Sequence, residues 1–164
     1  MTIAQSLLPE FDREMTVTRT LLQRVPEAEG EWKPHQKSFS LGDLATHVSN
    51  LPTWIAHIAA ADFFDAAVSF KRPPKFTTTA TLLEFFDGNV KAARQALASI
   101  SDEQMMKSWS LKRGEQTMFT RPRADVLRSF VMNHMIHHRG QLSVYLRLQN
   151  VPLPNMYGPT ADER

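Results

Sequence analysis

Apolar residues recur at spacings of three and four positions in four long segments, and this pattern constrains the fold more than any other feature. Such spacing places the apolar side chains on one face of an α-helix. Pro and Gly separate the segments, and Pro52 should kink the second one or start a new helix there. We therefore predict an all-α protein, a four-helix bundle that forms one domain over residues 1–164 with long connections. The segments run over about Ile3–Val25, Ser40–Val68, Thr81–Ile100 and Pro122–Gln149.

Residues 101–120 are less regular than the four segments. The stretch SDEQMMKSW is suited to one or two helical turns, and SLKRGEQTMFT to a short hairpin about Gly114 before the fourth helix. Ser40 and Asp43 resemble a capping box at the start of the second helix. Asn150 is a plausible left-handed cap at the end of the fourth.

Composition excludes several classes of protein. The chain has no cysteine, which rules out disulfides, thiolate zinc sites and cysteine nucleophiles. Its net charge of +2 comes without a dense basic patch, so we do not expect a nucleic-acid partner. No apolar run is long enough for a membrane span, and the first residues lack the features of a secretory signal. We expect a soluble, cytoplasmic protein.

The fourth segment carries two histidines on one face. His134 and His138 are one helical turn apart, and at about 100° per residue they point within about 40° of each other. On a straight helix they fall at the centre of the apolar face, with Leu127, Val131 and Leu142. A buried imidazole costs free energy unless its nitrogens are bonded. Two core histidines satisfied by hydrogen bonds are one explanation, and a pair of metal ligands is the other.

A third ligand should come from a facing helix. His47 lies near the edge of the apolar stripe of the second segment, whereas His57 points away from that stripe. We predict that His47 completes the set and that His57, His35 and His137 are surface residues. Asp43 lies one turn before His47 and either orients its second nitrogen or belongs to the helix cap.

Three neutral imidazoles at one point suit a divalent metal, which could be Zn, Ni, Fe, Mn or Co. The ligands His47, His134 and His138 would leave coordination positions open, as catalytic sites need. Trp54 and Tyr145 either line the adjoining pocket or pack in the core. No residue is secure as a general base, so the catalytic and cofactor-binding residues stay open.

The run NHMIHHRGQLSVYLRLQNVPLPNMYGPTADE resembles the C-terminal signature of the DinB-like (DinB/YfiT) superfamily. The segment LGDLATHVSNLPTWI is similar to the histidine region on that family's second helix. The resemblance covers the chain in helix order. It implies up-down-down-up connectivity, a homodimer, zinc or nickel, and the metal ligands His47, His134 and His138. Within the motif, Arg139 fits a structural or dimer contact and Gly140 a close-packing position.

The resemblance implies a function only in outline. Relatives include thiol-dependent S-transferases and isomerases, and metal-dependent hydrolases. The first hypothesis is a metal-dependent enzyme that activates a low-molecular-weight thiol or water. The alternative is a stress protein that binds metal or a small molecule without turnover. Fold and site alone do not fix the substrate.

Overall fold

The computed structural model describes residues 1–163. The chain forms three long helices, several short ones and a small sheet. The helices are α1 (Ile3–Leu22), α2 (Leu41–Asn50), α3 (Thr53–Ala60), α4 (Ala66–Ser69), α5 (Thr79–Ser99), α6 (Asp102–Met106), α7 (Arg123–Asp125) and α8 (Asn133–Leu148). A 3₁₀ turn lies at Glu27–Glu29, and a π-helical segment, Val126–Met132, joins α7 to α8 without a break. The strands are β1 (Phe63–Asp65), β2 (Ser108–Arg113) and β3 (Gln116–Pro122).

The helices begin and end at residues with the expected chemistry. Ser40 caps α2 by accepting a hydrogen bond from the Asp43 amide, and Thr78 caps α5 through a capping box with Thr81. Asn150 has a φ of 57°, which confirms the predicted left-handed residue after α8. Pro52 separates α2 from α3, as predicted, because its ring is incompatible with a continuous helix interior.

The core lies among the long helices. Helix α5 packs against α1, α2 and α3, and α8 packs against α1 and α2. The largest fully buried side chains include Phe11, Phe86 and Trp109. None of the helices within residues 1–163 combines the length and apolarity needed to cross a membrane.

The all-α prediction is wrong, because the chain also forms a three-stranded mixed sheet in the order β1-β2-β3. The hairpin predicted about Gly114 is present as β2 and β3, with Gly114 at a φ of 61° in its turn. The unexpected strand is β1, which pairs in parallel with β2 through Phe63, Phe64 and Asp65. We had placed those residues in the second helix. That helix ends at Ala60, since the backbone of Asp62 then bonds to Ser110 on β2.

Arg123 attaches the sheet to the end of α3. Its Nε atom donates to the Ile58 carbonyl at 3.0 Å, and its Nη2 atom donates to the Ala61 carbonyl at 3.0 Å. Nη2 also pairs with the Asp62 carboxylate at 2.5 Å. A guanidinium at this position satisfies carbonyl groups that a helix leaves unpaired at its C-terminus. The chain therefore leaves α3 in a fixed direction toward β1.

Candidate metal centre

The structure brings His47, His134 and His138 together. One nitrogen of each ring lies within 4.8 Å of the others. The Nε2 atoms of His47 and His134 are 3.5 Å apart, and the His47 ring centroid is 4.5 Å from that of His138. Helix α2 supplies the first ring and α8 the other two. These three rings are called the histidine triad below.

His134 and His138 lie at the margin of the buried face of α8. The sequence pattern predicts them at the centre of that face. The buried residues of α8 are Met135, Arg139, Leu142 and Leu146. The π-helical segment Val126–Met132 accounts for the difference, because its wider turns rotate all later side chains relative to a straight α-helix. His134 and His138 are consequently half-buried, as is His47.

The surroundings of the triad favour the neutral form of its three imidazole rings. Burial lowers the pKa of His47 to about 4, and repulsion from His138 and His134 adds to the effect. Burial also lowers the pKa of His134 and His138. The Phe130 backbone counteracts part of the shift at His134, and Gln141 part of that at His138. A neutral imidazole keeps a lone pair free, and that form binds metals.

Neighbouring side chains fix the rings from two sides. The Phe39 ring stacks on His47 with centroids 5.6 Å apart, and the Phe130 ring lies 5.8 Å from His134. The Nδ1 atom of His138 is 2.7 Å from Oε1 of Gln141. That contact leaves Nε2 of His138 for the centre of the triad, as a second-layer hydrogen bond does in metal sites. His134 Nδ1 is buried and makes no hydrogen bond of normal geometry within residues 1–163.

The other histidines lie at the surface, as predicted. His35, His57 and His137 are all exposed. The imidazole of His35 accepts a hydrogen bond from the Lys37 amide, and the ring of His137 lies 4.9 Å from His138 without joining the triad.

The sequence leaves two possible roles open for each of three further residues, Asp43, Tyr145 and Trp54. The backbone amide of Asp43 belongs to the helix cap, and within the described chain its carboxylate makes no hydrogen bond to His47. Tyr145 packs edge-on against Trp32, with centroids 5.6 Å apart, which supports the core-packing reading. Trp54 packs against Phe64, and the cavity that it lines, beside α3, contains no residue of the triad.

Arg139 and Gly140 follow the triad along α8. Arg139 is 1% exposed and pairs with Glu14 on α1, which supports the structural role that the motif suggested. Gly140 is not a close-packing position within the chain, because a Cβ atom there would meet no atom of the described residues within 4 Å.

A cavity of about 550 Å³ opens beside His47. Its walls combine aromatic rings, Phe39 and Phe70, with the charged residues Asp43, Arg72 and Lys75. Thr46 also lines it, and the Thr46 hydroxyl is buried without a hydrogen-bond partner in residues 1–163. A buried hydroxyl without a partner costs free energy.

Sequence reasoning missed Phe39, Thr46 and Gln141 as neighbours of the triad. Gln141 could have been found, because it lies three positions after His138 on the same helix and such pairs meet. Phe39 is in a connection and Thr46 is a helix residue with no distinguishing pattern, so neither gave a signal.

A mostly helical fold with a histidine triad at the edge of its core defines a class of protein that can hold one metal ion. The DinB family model matches residues 1–164, and the chain belongs to the DinB family. No curated protein matches the sequence.

Two solved structures are similar in fold. A DinB-like protein from Bacillus cereus is 22% identical with a TM-score of 0.72, and the match covers 93% of this chain and 97% of that one. A DinB-like protein from Bacillus subtilis is 18% identical with a TM-score of 0.68, and the match covers 97% of this chain and 99% of that one. At these identities the likeness supports the fold alone.

Proposed function

We propose that the protein is a metal-dependent enzyme of the DinB family in which His47, His134 and His138 hold one divalent metal ion. The observation that carries the proposal is the convergence of three ring nitrogens within 4.8 Å of one another. Without an ion, the contact between the Nε2 atoms of His47 and His134, at 3.5 Å, is long for a hydrogen bond, so these half-buried ring nitrogens are poorly satisfied. The donor set, all nitrogen and neutral, fits Zn or Ni best, and Fe, Mn or Co less well.

The cavity beside His47 supports chemistry over simple storage of the ion. A bound metal of this kind lowers the pKa of a coordinated thiol or water and so supplies a nucleophile near neutral pH. The chain's own residues orient the metal ligands and enclose the site. Gln141 holds the His138 ring by a 2.7 Å hydrogen bond, and Phe39 covers His47 from the cavity side.

The cavity's residues indicate what a substrate would meet. Arg72 and Lys75 offer positive charge, although Lys75 already pairs with Glu31 at 2.9 Å. A low-molecular-weight thiol carrying a carboxylate, or a hydrolysable ester or amide, fits such a lining. We propose an S-transferase- or hydrolase-like reaction, without a general base assigned.

Elemental analysis of the purified protein tests the metal. We expect about one equivalent of a divalent metal per chain. His138→Ala should lose it, because only two ligands remain, whereas His137→Ala should keep it, because His137 lies outside the triad. No stoichiometric metal in the unaltered protein after reconstitution with Zn²⁺ or Ni²⁺ would contradict the proposal.

Turnover assays separate the enzyme from a metal-binding stress protein without activity. The loaded protein would be assayed with several thiols and an electrophilic acceptor, and separately with ester substrates. Activity that depends on all three histidines supports the enzyme. Metal binding with no turnover on either set supports the non-catalytic alternative. The homodimer implied by the resemblance stays a prediction, which sedimentation velocity tests.

A further inference from the structure

A second cavity adjoins the one beside His47, and Phe70, Arg72, Pro73 and Pro74 line both. Its volume is about 310 Å³, and no member of the histidine triad lines it. Aromatic rings form part of its walls, with Trp54 and Phe64 at a centroid distance of 4.8 Å and with Phe70 and Phe85 as further rings. A cavity of this size and lining is typical of sites for small molecules. Aromatic walls favour a flat ring, which they contact edge-on or stacked.

Polar side chains are present in the same cavity. Asn50 and His57 line it, and the His57 ring lies 4.8 Å from that of Phe64. Neither the side-chain amide of Asn50 nor the His57 ring forms a hydrogen bond with other groups of the described chain. Both are therefore available to a ligand. The cavity thus combines a ring-binding wall with free hydrogen-bonding groups, as small-molecule sites usually do.

The charged side chains that line this cavity are cationic. Lys71 and Arg72 line it, and no Asp or Glu within residues 1–163 does so. Neither cation forms an ion pair with a described residue, whereas most other arginines of the chain, including Arg19, Arg94 and Arg123, are paired. A guanidinium binds a carboxylate through two parallel hydrogen bonds, which makes it the usual partner of that group.

We propose that this cavity is a binding site for a small aromatic carboxylate. The ring would lie against Trp54 and Phe64, and the carboxylate would pair with Arg72. Phe70, Arg72 and Pro73 also line the cavity beside His47, so the ligand would lie next to the histidine triad. The proposal goes beyond the metal-dependent activity and does not depend on it, because the cavity exists without a contribution from the triad.

Calorimetric titration with a matched pair of probes tests the proposal. The probes are 3-phenylpropanoate and its neutral amide, 3-phenylpropanamide, at about pH 7.5, where the acid is ionised. We expect the acid to bind about tenfold more tightly than the amide. Arg72→Gln should abolish that preference, and Arg13→Gln should keep it, because Arg13 is an exposed arginine of α1 that lines neither cavity. Both substitutions are at exposed positions, so the fold should be retained.

Two further measurements locate the ligand and separate this proposal from the previous one. In ¹H–¹⁵N spectra the indole N–H signal of Trp54 should shift on titration with the acid, and that of Trp32 should not, because only Trp54 lines the cavity. His138→Ala should bind the acid as the unaltered protein does. The proposal is overturned by equal affinity for acid and amide, by no binding of either, or by a shift at Trp32 in place of Trp54.

Discussion

The guanidinium of Arg139 and the carboxylate of Glu14 form an ion pair in the interior, with Nη2 and Oε2 2.6 Å apart. Their side chains are 2% and 6% exposed. The Nη1 atom of Arg139 also donates to the Glu14 carbonyl and to the Thr18 hydroxyl, each at 3.1 Å. All of these contacts join α8 to α1. The residue that follows His138 in the sequence therefore anchors the helix that carries two members of the triad.

Arg139→Leu should destabilise the protein by about 3 kcal/mol or more, because it leaves the Glu14 carboxylate buried without a counter-charge. Urea unfolding followed by circular dichroism measures the change. The double variant Glu14→Leu/Arg139→Leu should be more stable than Arg139→Leu alone, since it removes the unpaired charge as well.

The matched control is the exposed pair of Arg19 and Asp87. Its side chains are 41% and 46% exposed, and Arg19→Leu should cost less than about 1 kcal/mol. Equal losses of stability for Arg139→Leu and Arg19→Leu would contradict the prediction that burial increases the cost of breaking the Arg139–Glu14 pair.

Tyr157 connects the C-terminal tail to the same ion pair. Its hydroxyl donates to Oε2 of Glu14 at 2.7 Å and accepts a hydrogen bond from Arg139. Burial and the bond to Glu14 raise the pKa of the phenol, so it stays protonated and can donate. Tyr157→Phe should cost about 1 kcal/mol in urea unfolding, the usual value of one such bond.

Tyr145→Phe serves as the control for Tyr157→Phe, because the Tyr145 hydroxyl makes no hydrogen bond within the described chain and its ring only packs against Trp32. We expect a change within about 0.5 kcal/mol for that variant. A loss at Tyr145 as large as that at Tyr157 would mean that the hydroxyl of Tyr157 does not stabilise the tail.

Features with a local cause could be predicted from the sequence. The helices that contain the triad, the caps at Ser40 and Asn150, and the break at Pro52 all depend on neighbouring residues in the chain. The preference for His47 over His57 rested on the angle of each residue about one helix, and the structure brings His47 into the triad.

Features that depend on residues far apart in the chain could not be predicted from the sequence. Strand β1 exists because Phe63, Phe64 and Asp65 pair with Ser110, Leu111 and Lys112, which are far along the chain. In sequence the three residues continue the apolar pattern of a helix equally well. The tail motif was visible, but its function as an anchor depends on Glu14, separated from Tyr157 by 143 positions.

The π-helical segment could not be predicted either. Its cause is local, but the residue pattern does not distinguish it from an α-helix. It lies at Val126–Met132 and rotates the face of α8 that meets the core. A straight helix predicts the histidine pair at the centre of the buried face, and the observed one places Met135 and Arg139 there. The half-buried position of the pair brings its rings to His47 of α2, and His47 also lines the cavity.

The metal-free protein should lose stability as the pH falls from about 6.5 to about 4. The pKa of His47 is about 4 in the folded chain against 6.5 ordinarily. Above about pH 6.5 the ring is neutral in both states, and its contribution is fully present. Between the two values the unfolded chain binds a proton that the folded chain does not, so unfolding becomes more favourable as the pH falls. His134 and His138 shift in the same direction.

Urea midpoints of protein stripped with a chelator, taken at about pH 7.5 and about pH 5, measure this effect. His47→Gln should reduce the fall in midpoint, because glutamine does not titrate. A midpoint that stays level or rises toward pH 5 in the unaltered protein would contradict the lowered pKa values of the triad.

Zn²⁺ or Ni²⁺ should stabilise the stripped protein at neutral pH. An ion that binds the folded chain alone stabilises it by about 2.7 kcal/mol at one hundred times its Kd. The gain should appear as a higher urea midpoint that increases with metal concentration. His134→Ala should lose the gain, since two ligands bind far more weakly than three, and His137→Ala should keep it because that ring lies outside the triad. If both variants respond to metal as the unaltered protein does, the ion binds elsewhere and the triad is not its site.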